Sequence, residues 1–114
     1  MDEENITIWW GTPVECLSAI HRRHREAPLE DVALSNAIGR LRVLREHADA
    51  VVPTDSLRWH AGRLLAVHPL RAPDALQLAA ALAWCEDQPR GEGLLTLDLR
   101  LRDAAVREGF NVLP

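Results

Sequence analysis

The chain has no lysine. All 13 of its basic residues are arginine, set against 17 acids, and the formal net charge over 114 residues is −4. An acidic balance excludes a general electrostatic attraction to nucleic acid or to an anionic membrane and leaves only local basic patches for such contacts. Arginine suits bidentate contacts with phosphate and carboxylate, although a gene of biased base composition would also produce it. Cysteine is scarce. Cys16 and Cys85 stand far apart with no CxxC pair or Cys/His cluster around them, which argues against a disulfide framework or a zinc site and predicts two buried thiols. No apolar run approaches the roughly 18 to 20 residues needed to cross a bilayer. The opening "MDEENIT" is acidic and resembles neither a signal nor a transit peptide, so the expected compartment is the cytosol. Repeats and low-complexity segments are absent. With apolar residues at 47%, the composition is that of a folded globular chain, and a single domain spanning 1–114 is expected.

Nine segments follow from periodicity and punctuation. "NITIWWG" (5–11) is short, β-branched and aromatic and reads as a buried strand. A helix over 12–27 opens on Thr12 and Pro13, and a second over 29–48 repeats Val32, Leu34, Ile38, Leu41 and Leu44, with Pro28 between them. "AVVPT" (50–54) is a short strand, and 55–68 a third helix weakened at Gly62. "RAPDALQLAAALAWC" opens a helix over 73–87 that is apolar nearly all round and therefore expected to be buried. "QPRGEG" is a loop. It leads to a strand from Gly93 ending at Asp98, an amphipathic helix over 99–109 with a glycine stop, and a last strand over 110–114. Strands separated by helices predict an α/β fold with a mostly parallel sheet and helices on both faces.

That topology gives three acids a common place. Glu15 lies in the first turn of the first helix, Asp74 in the first turn of the apolar helix, and Asp98 where the strand from Gly93 meets the next helix. In a parallel α/β sheet helix N-termini gather at the carboxyl edge of the strands, where such folds place ligands. Each acid also has a plain structural reading. Thr12-Pro13-Val14-Glu15 has the form of a capping box, Asp98 of an N-cap, and Asp74 of a partner for the helix dipole. Gathered on one rim, however, carboxylates raise one another's pKa unless a cation neutralises them. Oxygen ligands without clustered Cys or His favour Mg²⁺ or Mn²⁺, which equips such a rim for metal-assisted phosphodiester hydrolysis.

Other residues are read structurally. His21 and His24 stand three apart but among Arg22, Arg23 and Arg25, as on a solvated basic face that suits phosphates or acidic partner groups better than a metal. Trp9 and Trp10 should point to opposite faces of their strand, and Trp59 and Trp84 read as core or interface residues. Ser/His/Asp combinations show no nucleophile elbow.

The stretches "RAPDALQLAAAL" and "LLTLDLRLRDAAVREGFNVLP", with "TPVECLSAIHRRHRE" upstream, resemble PIN domains, specifically the VapC-like toxin ribonucleases, over nearly the whole chain. The resemblance implies a three-layer fold and a Mg²⁺- or Mn²⁺-dependent endoribonuclease of a toxin–antitoxin system. Its implied partners are an RNA substrate, a cognate antitoxin and a second copy in a homodimer. It assigns metal binding and catalysis to Glu15, Asp74 and Asp98, and matches Thr96 to the family's hydroxyl residue. It also implies a first strand ending in aspartate, and a following helix, that this chain lacks. Asp2, Glu3 and Glu4 precede the first strand at its amino end and do not replace that aspartate. The alternative expectation is a catalytically silent PIN-like module for binding or oligomerisation. A receiver-like signalling module is the weaker rival, because receiver-like sites resemble ones that use a lysine.

Overall fold

The computed structural model describes residues 6–114. Asp2, Glu3 and Glu4, and Asn5 at the start of the expected first strand, lie outside the described residues. The element order is β1 (Thr7–Trp9), α1 (Thr12–Glu26), α2 (Asp31–His47), β2 (Asp49–Val51), α3 (Asp55–Val67), α4 (Ala72–Trp84), β3 (Gly93–Leu95), α5 (Leu99–Glu108) and β4 (Asn111–Leu113). The chain is thus mixed α/β, and it divides into two compact units, one ending at Ala50 and the other running from Val51 to Pro114.

In the first unit α1 and α2 pack on each other, and β1 pairs with β2; the Asp49 N–H donates to the Ile6 carbonyl at 3.0 Å. Gly11 lets the chain turn from β1 into α1. A Cβ there would stand 2.6 Å from the Trp9 indole nitrogen, so only glycine fits under that ring. Gly11 is also the N-cap and no side chain caps α1, which corrects the expected capping box: Thr12 is already inside the helix and the Thr12 hydroxyl is not its cap. At the other end Arg23 donates from Nη1 to the Ala27 carbonyl. The Leu29 N–H donates to His24 Nδ1 at 2.9 Å, and Pro28 between them prevents the helix from continuing. The helical turn thus uses Arg23 and His24 of the basic run, while His21, Arg22 and Arg25 are exposed.

The second unit holds nearly all of the buried core. Thr54 caps α3, its Oγ1 accepting from the Leu57 N–H at 3.1 Å, and the helix runs through Gly62 without a break. α3 buries Leu57, Ala61 and Leu64, a stripe at helical spacing. α4 packs on α3 through Ala75, Leu78, Ala79, Ala80 and Leu82, and α5 closes the core with Leu101, Ala104 and Ala105. β3 and β4 pair in parallel, Leu94 opposite Val112, with α5 as the crossover. Gly109 ends α5 in the left-handed region at φ 110°, donating to Ala105 and Val106, and a Cβ there would press on Pro89 at 3.1 Å. His68, almost fully buried, and Glu108 form a 2.7 Å pair that ties the end of α3 to the end of α5.

Several expectations are corrected. Among the described residues the strands pair two by two, β1 with β2 and β3 with β4, and each is shorter than the sequence predicts, at three residues. α4 stops at Trp84 and not at 87, because Glu86 and Asp87 take positive φ, which no helix accepts. Cys16 and Cys85 are free thiols, half-buried and not fully buried. Trp59 is 81% exposed and Trp84 42%, so neither is a core residue. Trp9 and Trp10 do not take opposite faces of one strand: Trp10 lies in the turn after β1, and although Trp9 is buried and Trp10 exposed, their rings meet edge to face at 6.4 Å. No described helix is long and apolar enough to cross a membrane.

Candidate functional site

Asp74 occupies the third position of α4. The sequence puts it there because Pro73 suits the first turn, where its missing N–H costs nothing. From this position the carboxylate reaches back to the Arg71 N–H, the acidic half of a capping box. Asp74 is half-buried, and its pKa is raised above the ordinary aspartate value. Burial is the main cause and the neighbouring charge of Asp98 the next. The Arg71 hydrogen bond and the guanidinium charges of Arg71 and Arg100 pull the other way without outweighing them.

Asp98 is the N-cap of α5. Its Oδ1 accepts from the Leu101 N–H at 2.9 Å, while its own N–H donates to Thr96 Oγ1 at 3.1 Å. The Thr96 backbone N–H donates to the Leu113 carbonyl at 3.0 Å, which anchors the turn to β4. Thr96 therefore holds Asp98 at the carboxyl end of β3 through its hydroxyl. The cap uses one carboxylate oxygen and leaves Oδ2 without a hydrogen bond among the described residues.

Two of the three expected acids are thus brought into electrostatic reach of each other. Glu15 belongs to the first unit, where it sits half-buried in the first turn of α1 and its N–H donates to the Gly11 carbonyl at 3.1 Å. Burial, and secondarily the charge of Glu15, holds the Cys16 thiol above its usual pKa. Among the described residues no group of three or more His, Cys, Asp and Glu side chains is gathered so as to hold a metal ion. The Asp74–Asp98 pair is nevertheless a donor set that suits Mg²⁺ or Mn²⁺. These cations retain several waters and need only one or two protein carboxylates, and a carboxylate with a raised pKa is relieved by any cation placed beside it.

Arg71 and Arg100 are the residues that sequence reading missed here. Each stands within three positions of an acid, and that proximity was the available signal. The His68–Glu108 pair, 40 residues apart, left none. No protein-family model matches the chain, and no curated protein matches it either.

Proposed function

We propose that the chain is a PIN-like, VapC-type domain whose acidic rim serves metal-dependent hydrolysis of RNA phosphodiester bonds, as the toxin of a toxin–antitoxin pair. The observation that carries this reading is the placement of Asp74 and Asp98 at the openings of α4 and α5, close enough that the charge of Asp98 adds to burial in raising the Asp74 pKa although two arginines stand nearby. On this reading Asp74 and the Asp98 oxygen that the cap does not use would hold the cation. Thr96 fixes Asp98 through its backbone N–H. A divalent cation bound there would supply activated water and offset charge on the phosphate. Arg71 and Arg100 are suited to bind the phosphate oxygens, as guanidinium groups are. In the family's three-layer arrangement the same rim would face the RNA, and a cognate antitoxin and a second copy would be the protein partners.

A second reading has its own support. The Asp98 carboxylate already serves as an N-cap, and the described residues hold no three-membered metal cluster. On this reading the chain is a catalytically silent PIN-like module that binds or oligomerises.

Titration with Mn²⁺ and Mg²⁺, with RNA cleavage followed in parallel, separates the two. The nuclease reading expects saturable binding and cleavage, both lost in Asp98→Asn, which keeps the cap because asparagine caps as well as aspartate. Binding without cleavage supports the silent module with a residual metal site. No binding in the folded protein removes the metal site altogether.

A further inference from the structure

The second unit encloses a polar pair that stability does not explain. The His68 side chain is only 3% exposed, and its Nε2 donates to the Glu108 carboxylate at 2.7 Å. Its other ring nitrogen, Nδ1, is buried with no hydrogen-bond partner. A buried polar atom without a partner costs stability, and two apolar side chains would fill the same space without that cost. On the other side of the carboxylate Arg63 Nη2 stands 3.6 Å from Glu108 Oε1, but Arg63 is half-exposed and also bonds His60 Nε2 at 2.7 Å.

What the pair supplies is direction. α5 packs on α4, and both buried faces are rich in alanine: Ala75, Ala79 and Ala80 on α4, Ala104 and Ala105 on α5. Methyl groups make shallow ridges, so two such faces fit nearly as well at neighbouring registers. Among the residues that α5 buries only Leu101 is large. A hydrogen bond of 2.7 Å tolerates little displacement, and this one joins the C-cap of α3 to the last residue of α5. His68 shortly precedes α4, which Asp74 helps to open, and Glu108 closes the helix that Asp98 caps.

We propose that His68, acting through Glu108, is a positioning residue: the pair sets the register of α5 on α4 and thereby the placement of Asp98 against Asp74. α5 has 10 residues and is about 15 Å long at a rise of about 1.5 Å per residue, a short rigid rod in which a shift at Glu108 is carried to Asp98. The consequence for metal binding rests on the reading of the two acids as a metal site. The register of α5 does not.

The test replaces both partners in the full chain, His68→Leu with Glu108→Leu, beside His68→Gln, which keeps a donor for Glu108. Residual dipolar couplings and amide spectra report the placement of α5 without metal. Thermal melting reports stability, and Mn²⁺ titration reports the acids. The double variant should melt no lower than the parent, while its Asp98, Leu101 and Ala104 amides split or broaden and no longer fit the parent orientation of α5. Its Mn²⁺ affinity should fall about tenfold. His68→Gln should keep the parent couplings and the parent affinity.

The proposal is overturned if the double variant keeps one sharp set of α5 signals with the parent couplings, because packing alone then sets the register. A double variant that melts well below the parent, or does not fold, also overturns it and makes the pair a stability element. Displaced couplings with an unchanged Mn²⁺ affinity break the link from α5 to the acids. A parent that binds no Mn²⁺ removes the metal reading alone, and the couplings still decide the register.

Discussion

Neither α1 nor α2 buries a single residue fully, whereas α3, α4 and α5 together bury an alanine- and leucine-rich core in which Leu64 and Leu78 are wholly enclosed. Both sets of helices are well formed, so the difference lies in what holds them. α1 and α2 rest on half-buried stripes, on each other and on local closures such as Arg23 to Ala27 and His24 to Leu29. α3 to α5 rest on removal of apolar surface from water, the larger energy by far. A helix held by local closures opens easily, and one held by a core opens only when the core does.

The sharpest way to break this comparison is to truncate one leucine in each unit. Leu78→Ala should cost about 2–5 kcal/mol in chemical denaturation, because it leaves a cavity in a fully enclosed site. Leu41→Ala, half-exposed on α2, should cost less than about 1.5 kcal/mol, since part of that surface is already wet. Equal costs would mean that the first unit has a core of its own.

Helix openings extend the contrast at lower energy. Thr54 caps α3 with its side chain, whereas the N-cap of α1 is Gly11, which has no side chain to offer. Thr54→Ala should therefore cost about 1 kcal/mol, while Thr12→Ala should stay within about 0.5 kcal/mol of the parent in the same denaturation experiment. A costly Thr12→Ala would restore the capping box at the start of α1.

The smallest effect belongs to Asp74. Its folded pKa lies above the unfolded value, so the folded chain binds that proton more tightly. Stability is therefore lost as pH rises through the window between the two values, and the loss persists at neutral pH. Asp74→Asn should raise the melting temperature at pH 7, and the gap over the parent should close as pH falls below the ordinary aspartate range. A gap that is constant with pH would assign the effect to packing and not to charge.

Most elements were legible in the sequence to within a few residues because their signals are local. Pro13, Pro28 and Pro73 mark helix boundaries, Gly109 has to end α5, and β-branched residues flank the turns. The errors came where a boundary depended on geometry that no residue type announces. Gly11 and not Thr12 is the cap of α1, at a position where the Trp9 ring leaves room for glycine alone. Glu86 and Asp87 entered positive φ, shortening α4. Of the candidate site, the positions of Glu15, Asp74 and Asp98 were legible because all three lie at helix openings, while Thr96 entered only through the resemblance. Arg71 stands three positions before Asp74, a spacing that was there to be read, whereas Arg100 acts on Asp74 through space, which composition and spacing do not display.

By itself the sequence determined the α/β alternation, the nine elements in order, the apolar stripe of α4 and the acids at helix openings, because all of these follow from side-chain period, proline and glycine. Only the tertiary structure decided how the strands pair, β3 beside β4 in parallel register. It alone joined His68 to Glu108 and brought the charge of Asp98 to bear on Asp74. Pairing and charge coupling depend on distances between segments far apart in the chain, and local preference carries no information about those distances.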